Sequence, residues 1–278
     1  MSLSQSQIVQ NDIFAANRAT GHIALSVEAA SGRTRRKVVD EDGSLRVRFP
    51  NVTAEPLEAV FVNTGGGMTG GDGFVIEISV EAGASLVAGT AAAEKVYRST
   101  GPDAVMDVRL EVGQGARLIW LPQETILFDR ARLKRSIEID LAEGASLLMA
   151  EAVVFGRAAS NEAMNAGFFA DCWRLRRGGK LIYADTARLD GAIADRLQAL
   201  ASAGGGIAIA TVLIAPGSDD QLAGLRALGD TFTGEVGCSA WNGIVVARLC
   251  AKDGAALRRD LVALLAALGQ PVPRLWLN

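Results

Sequence analysis

Three copies of one short motif constrain the fold more than any other feature of the chain. Gly83-Ala84-Ser85-Leu86, Gly115-Ala116-Arg117-Leu118 and Gly144-Ala145-Ser146-Leu147 share the form Gly-Ala-x-Leu, with glycines 32 and 29 residues apart. Looser copies occur as DGSL at 42–45 and GGKL at 178–181. A glycine supplies the positive φ that a tight reversal needs, so each copy predicts a hairpin turn between two strands. The flanks alternate with period two, the mark of half-buried strands. Leu45, Val47 and Phe49 oppose Arg46 and Arg48, and Ile76, Ile78 and Val80 oppose Glu77 and Ser79. In 131–141 the apolar side is Ala131, Leu133, Ile137, Ile139 and Leu141; Arg135 is the one charge that falls on it. A unit repeated at this spacing predicts stacked strand pairs, either a β-helical body or a β-sandwich.

The last third carries helix signals instead. Ser218-Asp219-Asp220 precedes Leu222, Leu225 and Leu228 at helical spacing; 253–269 starts on Asp253, ends on Gly269 and is followed by Pro271. Segment 191–203 predicts a further short helix, and 243–250 a strand between the two longer helices. No Pro-, Ser- or charge-rich linker divides the chain, so 1–278 is expected to be a single domain, with 1–20 a disordered or loosely packed N-terminal segment.

Composition excludes several functions. A net charge of −3 provides no basic field for nucleic acid or an anionic membrane, and no apolar run approaches the length of a spanning helix. The basic cluster RTRRK at 33–37 is expected at a hairpin tip in water. The N-terminal MSLSQSQIVQND has no signal-peptide pattern, and three widely spaced cysteines suit a reducing compartment, so a cytoplasmic location is expected. His22 is the single histidine, which removes Ser-His-Asp, Cys-His and His-based zinc chemistry. Gly65, Gly67 and Gly70 satisfy G-x-G-x-x-G, but a strand-like FVIEISV follows where a dinucleotide site needs a helix, and the next lysine is Lys95. A carboxylate pair remains chemically open, with Asp72, Glu94, Glu124, Asp129, Glu151, Glu162 and Asp185 as candidates. A β-helical carbohydrate-active enzyme would use such a pair, but only 5% of residues are aromatic, few for a sugar platform.

Four segments in order carry a resemblance. Asn63 to Asp72 reads NTGGGMTGGD, with Gly65, Gly66, Gly67, Gly70 and Gly71; Thr90 to Ser99 includes Lys95, Tyr97 and Arg98; Trp120 to Ile126 reads WLPQETI, with Pro122 and Gln123, and is followed by Phe128 and Asp129; Gly156-Arg157 comes last. With SLRVRFP and the closing PRLWLN, they resemble the urease accessory protein UreD (UreH) family from about Gly21 to the C-terminus. The chain departs from the family at Thr64, often Pro, and at Asn161 before Glu162, where the family continues toward Gly-Glu.

The resemblance implies a mainly β fold, a β-helical stack of hairpins with a few α-helices in the C-terminal part. It implies a urease maturation factor or chaperone and not an enzyme, with no catalytic residues. Such a protein binds a UreF-type partner, which recruits a UreG-type GTPase, docks on apo-urease, and forms a dimeric assembly through the partner. Nickel passes in transit, with no permanently bound cofactor. Asp72, Glu124, Asp129 and Glu151 are the candidate carboxylates of a transient nickel path, since borderline Ni²⁺ is passed on by oxygen ligands that hold it weakly. The glycines above, with Lys95, Tyr97, Arg98, Trp120, Pro122, Gln123, Gly156 and Arg157, are expected to set the local structure. A pure docking role would instead place the partner on the apolar helix 253–269. Extensive apolar strand surface predicts poor solubility without the partner.

Overall fold

The computed structural model describes residues 18–277, save 52, 54, 158 and 159; the expected N-terminal segment 1–20 lies almost wholly outside them. The strands are β1 (Thr20–Ala30), β2 (Arg33–Gly43), β3 (Leu45–Arg48), β4 (Leu57–Asn63), β5 (Gly73–Val80), β6 (Ser85–Thr90), β7 (Glu94–Val96), β8 (Ala104–Val112), β9 (Arg117–Leu121), β10 (Thr125–Leu127), β11 (Arg132–Leu141) and β12 (Ser146–Arg157). They continue with β13 (Glu162–Ala163), β14 (Ala166–Arg177), β15 (Lys180–Ala192), β16 (Ala208–Ala215), β17 (Glu235–Trp241) and β18 (Ile244–Ala251). Among the described residues three α-helices, α1 (Ile193–Gln198), α2 (Asp219–Ala227) and α3 (Gly254–Ala267), lie in the C-terminal part, the two longer ones where the caps and spacing placed them. Ser218 closes a capping box on α2, and the Asp253 side chain accepts from Ala256 N at 2.7 Å at the start of α3.

The body is a β-solenoid of about four turns with two sheets. One sheet runs β15-β14-β11-β8-β5-β1-β2, and the other follows β17-β18-β16-β12-β9-β6-β4-β3, with β7, β10 and β13 off that path. Between β4 and β14 the chain passes back and forth between the sheets, so β5, β8, β11 and β14 stack parallel in one sheet and β4, β6, β9 and β12 stack parallel in the other. The Gly-Ala motif therefore makes an arch between sheets, where a hairpin would pair its own two flanks. Only the GGKL copy, joining β14 to β15, is an antiparallel hairpin.

Packing accounts for each motif position. Gly83, Gly115 and Gly144 take φ of 71°, 63° and 70°, the left-handed conformation that a residue with a Cβ resists. Ala84, Ala116 and Ala145 are buried under the arch, and Leu86, Leu118 and Leu147 point into the core between the sheets. Successive arches are tied by backbone bonds, Gly83 N to Gln114 O at 3.0 Å and Ser146 N to Ala116 O at 2.9 Å.

A second core lies on the outer side of the larger sheet. Ile119 and Leu121 of β9 face it while Leu118 and Trp120 face inward, so β9 is buried on both sides. α3 closes this core with Leu257, Leu261, Leu264 and Leu265. The apolar face of 253–269, expected to receive a partner, is thus consumed by the chain itself. RTRRK lies on β2 just after the Ser31-Gly32 turn, at the edge of the smaller sheet, exposed except for Thr34.

Candidate functional site

The two long edges of the solenoid differ. The Gly-Ala arches form one edge; the longer connections 64–72, 91–103 and 122–131 form the other, and carry the family-like motifs. Their residues bond to one another. Gly65 N donates to Asn63 Oδ1 at 2.9 Å, opening the glycine loop. Met68 and Tyr97 exchange backbone bonds through Lys95 O and Met68 O, both 2.7 Å. The Tyr97 hydroxyl donates to Gly66 O at 3.0 Å, and its ring meets Phe128 edge to face. Gly67 has no room for a side chain: a Cβ there would lie 2.7 Å from Lys95 O and 2.4 Å from the Tyr97 ring. Thr69 donates to Arg98 O, and Gln123 Nε2 to Ala91 O. Arg157 stacks over Phe128 and pairs with Glu162, while Glu162 also accepts from Asp129 N. Asn161 sits at φ 53°, so it serves the turn that a glycine would otherwise make.

Inside the solenoid the one exception to the alternation becomes the centre of the site. Arg135 on β11 points inward and is 2% exposed. Its Nε and Nη2 fork onto Asp171 on β14 at 2.9 and 2.6 Å. Its Nη1 crosses to the other sheet and reaches Glu151 on β12 at 2.5 Å. The second Glu151 oxygen accepts the Trp120 indole N–H at 2.7 Å. Fully ionised, one guanidinium against two carboxylates leaves a single negative charge in the interior. Burial drives the Glu151 pKa up, against Arg135 and Trp120, which draw it down. Burial pulls the Arg135 pKa down, but the two carboxylates overcome it and the group is raised.

Two cavities meet at this cluster. The larger, about 150 Å³, runs from Asn63, Gly66 and Glu94 at the motif edge down to Trp120, Arg135 and Glu151. The smaller, about 30 Å³, lies beyond Arg135 and Glu151 and is lined by Asp171, Trp173, Thr211 and Asp185. Glu94 accepts from Asn63 Nδ2 at 3.0 and 3.3 Å and from Lys95 N at 3.2 Å, and its pKa is pushed up to about 7, chiefly by desolvation. Asp185 accepts from Arg248 at 2.8 Å and from the Tyr183 hydroxyl at 3.1 Å; burial, with help from Asp185, pushes Tyr183 up to about 12.

Of the four carboxylates expected on a path, Glu151 alone lines these cavities. Asp72 is buried and accepts from Ala19 N and Thr69 N at 2.9 and 2.7 Å, which ties the glycine loop to the chain before β1. Asp129 accepts from Asn165 N and Ala166 N. Glu124 pairs with Arg258 and so fastens α3 to the WLPQETI segment. These three satisfy backbone and cationic groups that would otherwise lack partners. Arg135 and Asp171 belong to the centre but stand outside the motifs; the signal for each was a charge in an apolar context, RSIEI and FFADCW. Among the described residues no three His, Cys, Asp or Glu side chains converge as a metal-ligand set, and no helix is long and apolar enough to cross a membrane.

Comparison with known proteins agrees with the motif edge. The family model for the UreD urease accessory protein matches residues 19–277. A urease accessory protein UreD of Rhodopseudomonas palustris strain BisA53 is 54% identical over 97% of this chain and 94% of its own. That of Bradyrhizobium diazoefficiens is 55% identical over 97% and 98%, and that of R. palustris strain HaA2 is 53% identical over the full length of both. With a family match across almost the whole chain and relatives above half identity, this chain belongs to the UreD family of urease accessory proteins.

Proposed function

We propose that this chain works in urease maturation as a docking scaffold and a nickel conduit and is not itself an enzyme. The observation that carries the conduit is the pair of interior cavities that meet at Glu151 and Arg135 and end on Glu94 at one side and Asp185 at the other. Oxygen ligands met one after another suit a borderline cation in transit, since a compact His/Cys site would retain it. In this scheme the path runs Glu94, Glu151, Asp171, Asp185. Asp72, Asp129 and Glu124 hold the walls. A UreF-type protein and, through it, a UreG-type GTPase bring the nickel, apo-urease receives it in the cytoplasm, and the partner joins two such units into a dimeric assembly.

Val108 is buried at the wall of the larger cavity, and Val108→Phe extends a ring into that space. Co-expression with apo-urease and its accessory proteins should then give intact complexes but urease activity at limiting nickel no higher than without this chain. Unchanged activation would overturn the conduit and leave docking alone.

A further inference from the structure

The geometry points to Arg135 as a gate in this passage, hinged on Asp171 and latched on Glu151. The inference rests on the conduit proposed above. The two cavities share Arg135 and Glu151 in their linings, so this ion pair is the partition between them. A nickel ion moving from one to the other must pass a buried guanidinium of its own charge sign, and in a low-dielectric interior that repulsion is large.

The hold on the guanidinium is unequal. Asp171 takes two nitrogens in a bidentate fork, the stronger and more directional arrangement. Glu151 takes one, Nη1, which has a second, longer contact to Thr125 Oγ1 at 3.4 Å. Losing the Glu151 bond leaves the fork on Asp171 intact. The space beyond, about 30 Å³, is large enough to hold water and is lined by Asp171 as well as Arg135 and Glu151, so a cation past the latch meets the second carboxylate at once. Glu151 stays in place when the latch opens, because Trp120 holds its other oxygen from β9 on the same sheet. A cation arriving from the larger cavity attracts the Glu151 carboxylate and repels the guanidinium, so the cargo itself opens the latch. An empty passage stays closed to smaller traffic.

The test uses the complete activation mixture, apo-urease with this chain and its partner proteins, and reads the initial activation rate at limiting nickel beside complex yield and melting temperature. Arg135→Gln removes the gate and should raise the initial rate about tenfold, the equivalent of one charge-assisted hydrogen bond at the barrier. If the uncompensated carboxylates prevent folding, Arg135→Gln with Asp171→Asn removes one charge of each sign and should still raise the rate, by less than the single variant, because it also weakens an oxygen ligand of the path. Asp171→Asn alone has the opposite sign: it leaves the guanidinium paired only with Glu151, tightens the latch and should slow activation. A merely structural role lowers yield and melting temperature and never raises the rate. Rates unchanged or lowered in the Arg135 variants, or unchanged in Asp171→Asn, overturn the gate. Val108→Phe separates the two ideas: if it blocks activation while these variants do not alter the rate, the conduit stands and the gate falls; if it leaves activation intact, both fall.

Discussion

Replacing Glu94 by Gln should stabilise the protein in alkali and leave it nearly unchanged in acid. Glu94 sits at the motif edge against the larger cavity, where Asn63 and Lys95 N donate to it but burial outweighs them and carries its pKa from an ordinary 4.5 to about 7. The folded state therefore binds this proton more tightly than the unfolded chain. Below the unfolded value both states are protonated and nothing is lost. Between 4.5 and about 7 stability falls as pH rises, and above that the full cost of the buried anion is present. A rise of that size corresponds to about 3 kcal/mol between the two protonation states. Gln keeps an acceptor for Asn63 but gives up the charge-assisted part of that bond, so the net gain at pH 8 should be about 2 kcal/mol. At pH 4.5 the variant should match the parent within about 0.5 kcal/mol, as for a neutral near-isostere. Urea unfolding of both proteins at several pH values, followed by tryptophan fluorescence, measures the difference directly. A stability difference independent of pH, or a variant weaker than the parent at pH 8, would refute the argument.

Asp260 is buried on α3 and accepts Thr233 N at 2.8 Å and Gly234 N at 2.7 Å, which anchors the loop before β17. Asp260→Ala leaves both donors without a partner and should cost roughly 2–4 kcal/mol in chemical denaturation, with Asp260→Asn recovering part of it. Two glycine substitutions should differ in a defined way. Nothing lies near a Cβ at Gly115, so Gly115→Ala should cost only the left-handed penalty, about 1 kcal/mol. Gly67→Ala meets the Lys95 carbonyl and the Tyr97 ring and should cost at least twice that, with Tyr97 displaced; equal melting temperatures would contradict the packing at the motif edge.

Much of the solenoid was legible because its cause is local. Leu45, Val47, Ile76, Ile78 and Val80 announce a buried side by alternation alone, and all five face the core. The arch was not legible as an arch. A glycine at positive φ serves a hairpin and a corner equally well, and the choice depends on whether β5 finds β6 or β8 as its neighbour, a contact about 30 residues away. The motif carboxylates Asp72, Glu124 and Asp129 stood out by their place in the sequence, yet their oxygens are committed to nearby N–H groups and to Arg258. Pattern can show that a carboxylate is embedded in a loop but not how many orphan donors that loop leaves. Arg135, Glu151 and Asp171 carried the better signal. Each is a charge set into an otherwise apolar inward face, and burying such a charge is tolerated only when a partner of opposite sign is buried with it.

The second core has a consequence for synthesis. Solenoid turns can stack one on another as they leave the ribosome, since each strand pairs with a repeat already made. The outer face of β9 and β12 has no such option. Its cover is α3 and the segment after it, where Arg258 Nη1 binds Trp276 O at 2.8 Å and the Trp276 indole reaches Leu121 O at 3.3 Å. About 120 residues of chain separate that face from its lid, and at bacterial elongation rates this leaves on the order of ten seconds during which an apolar strip stands bare. The nascent protein is most prone to aggregate in that interval, which closes when α3 and Trp276 settle on the strip.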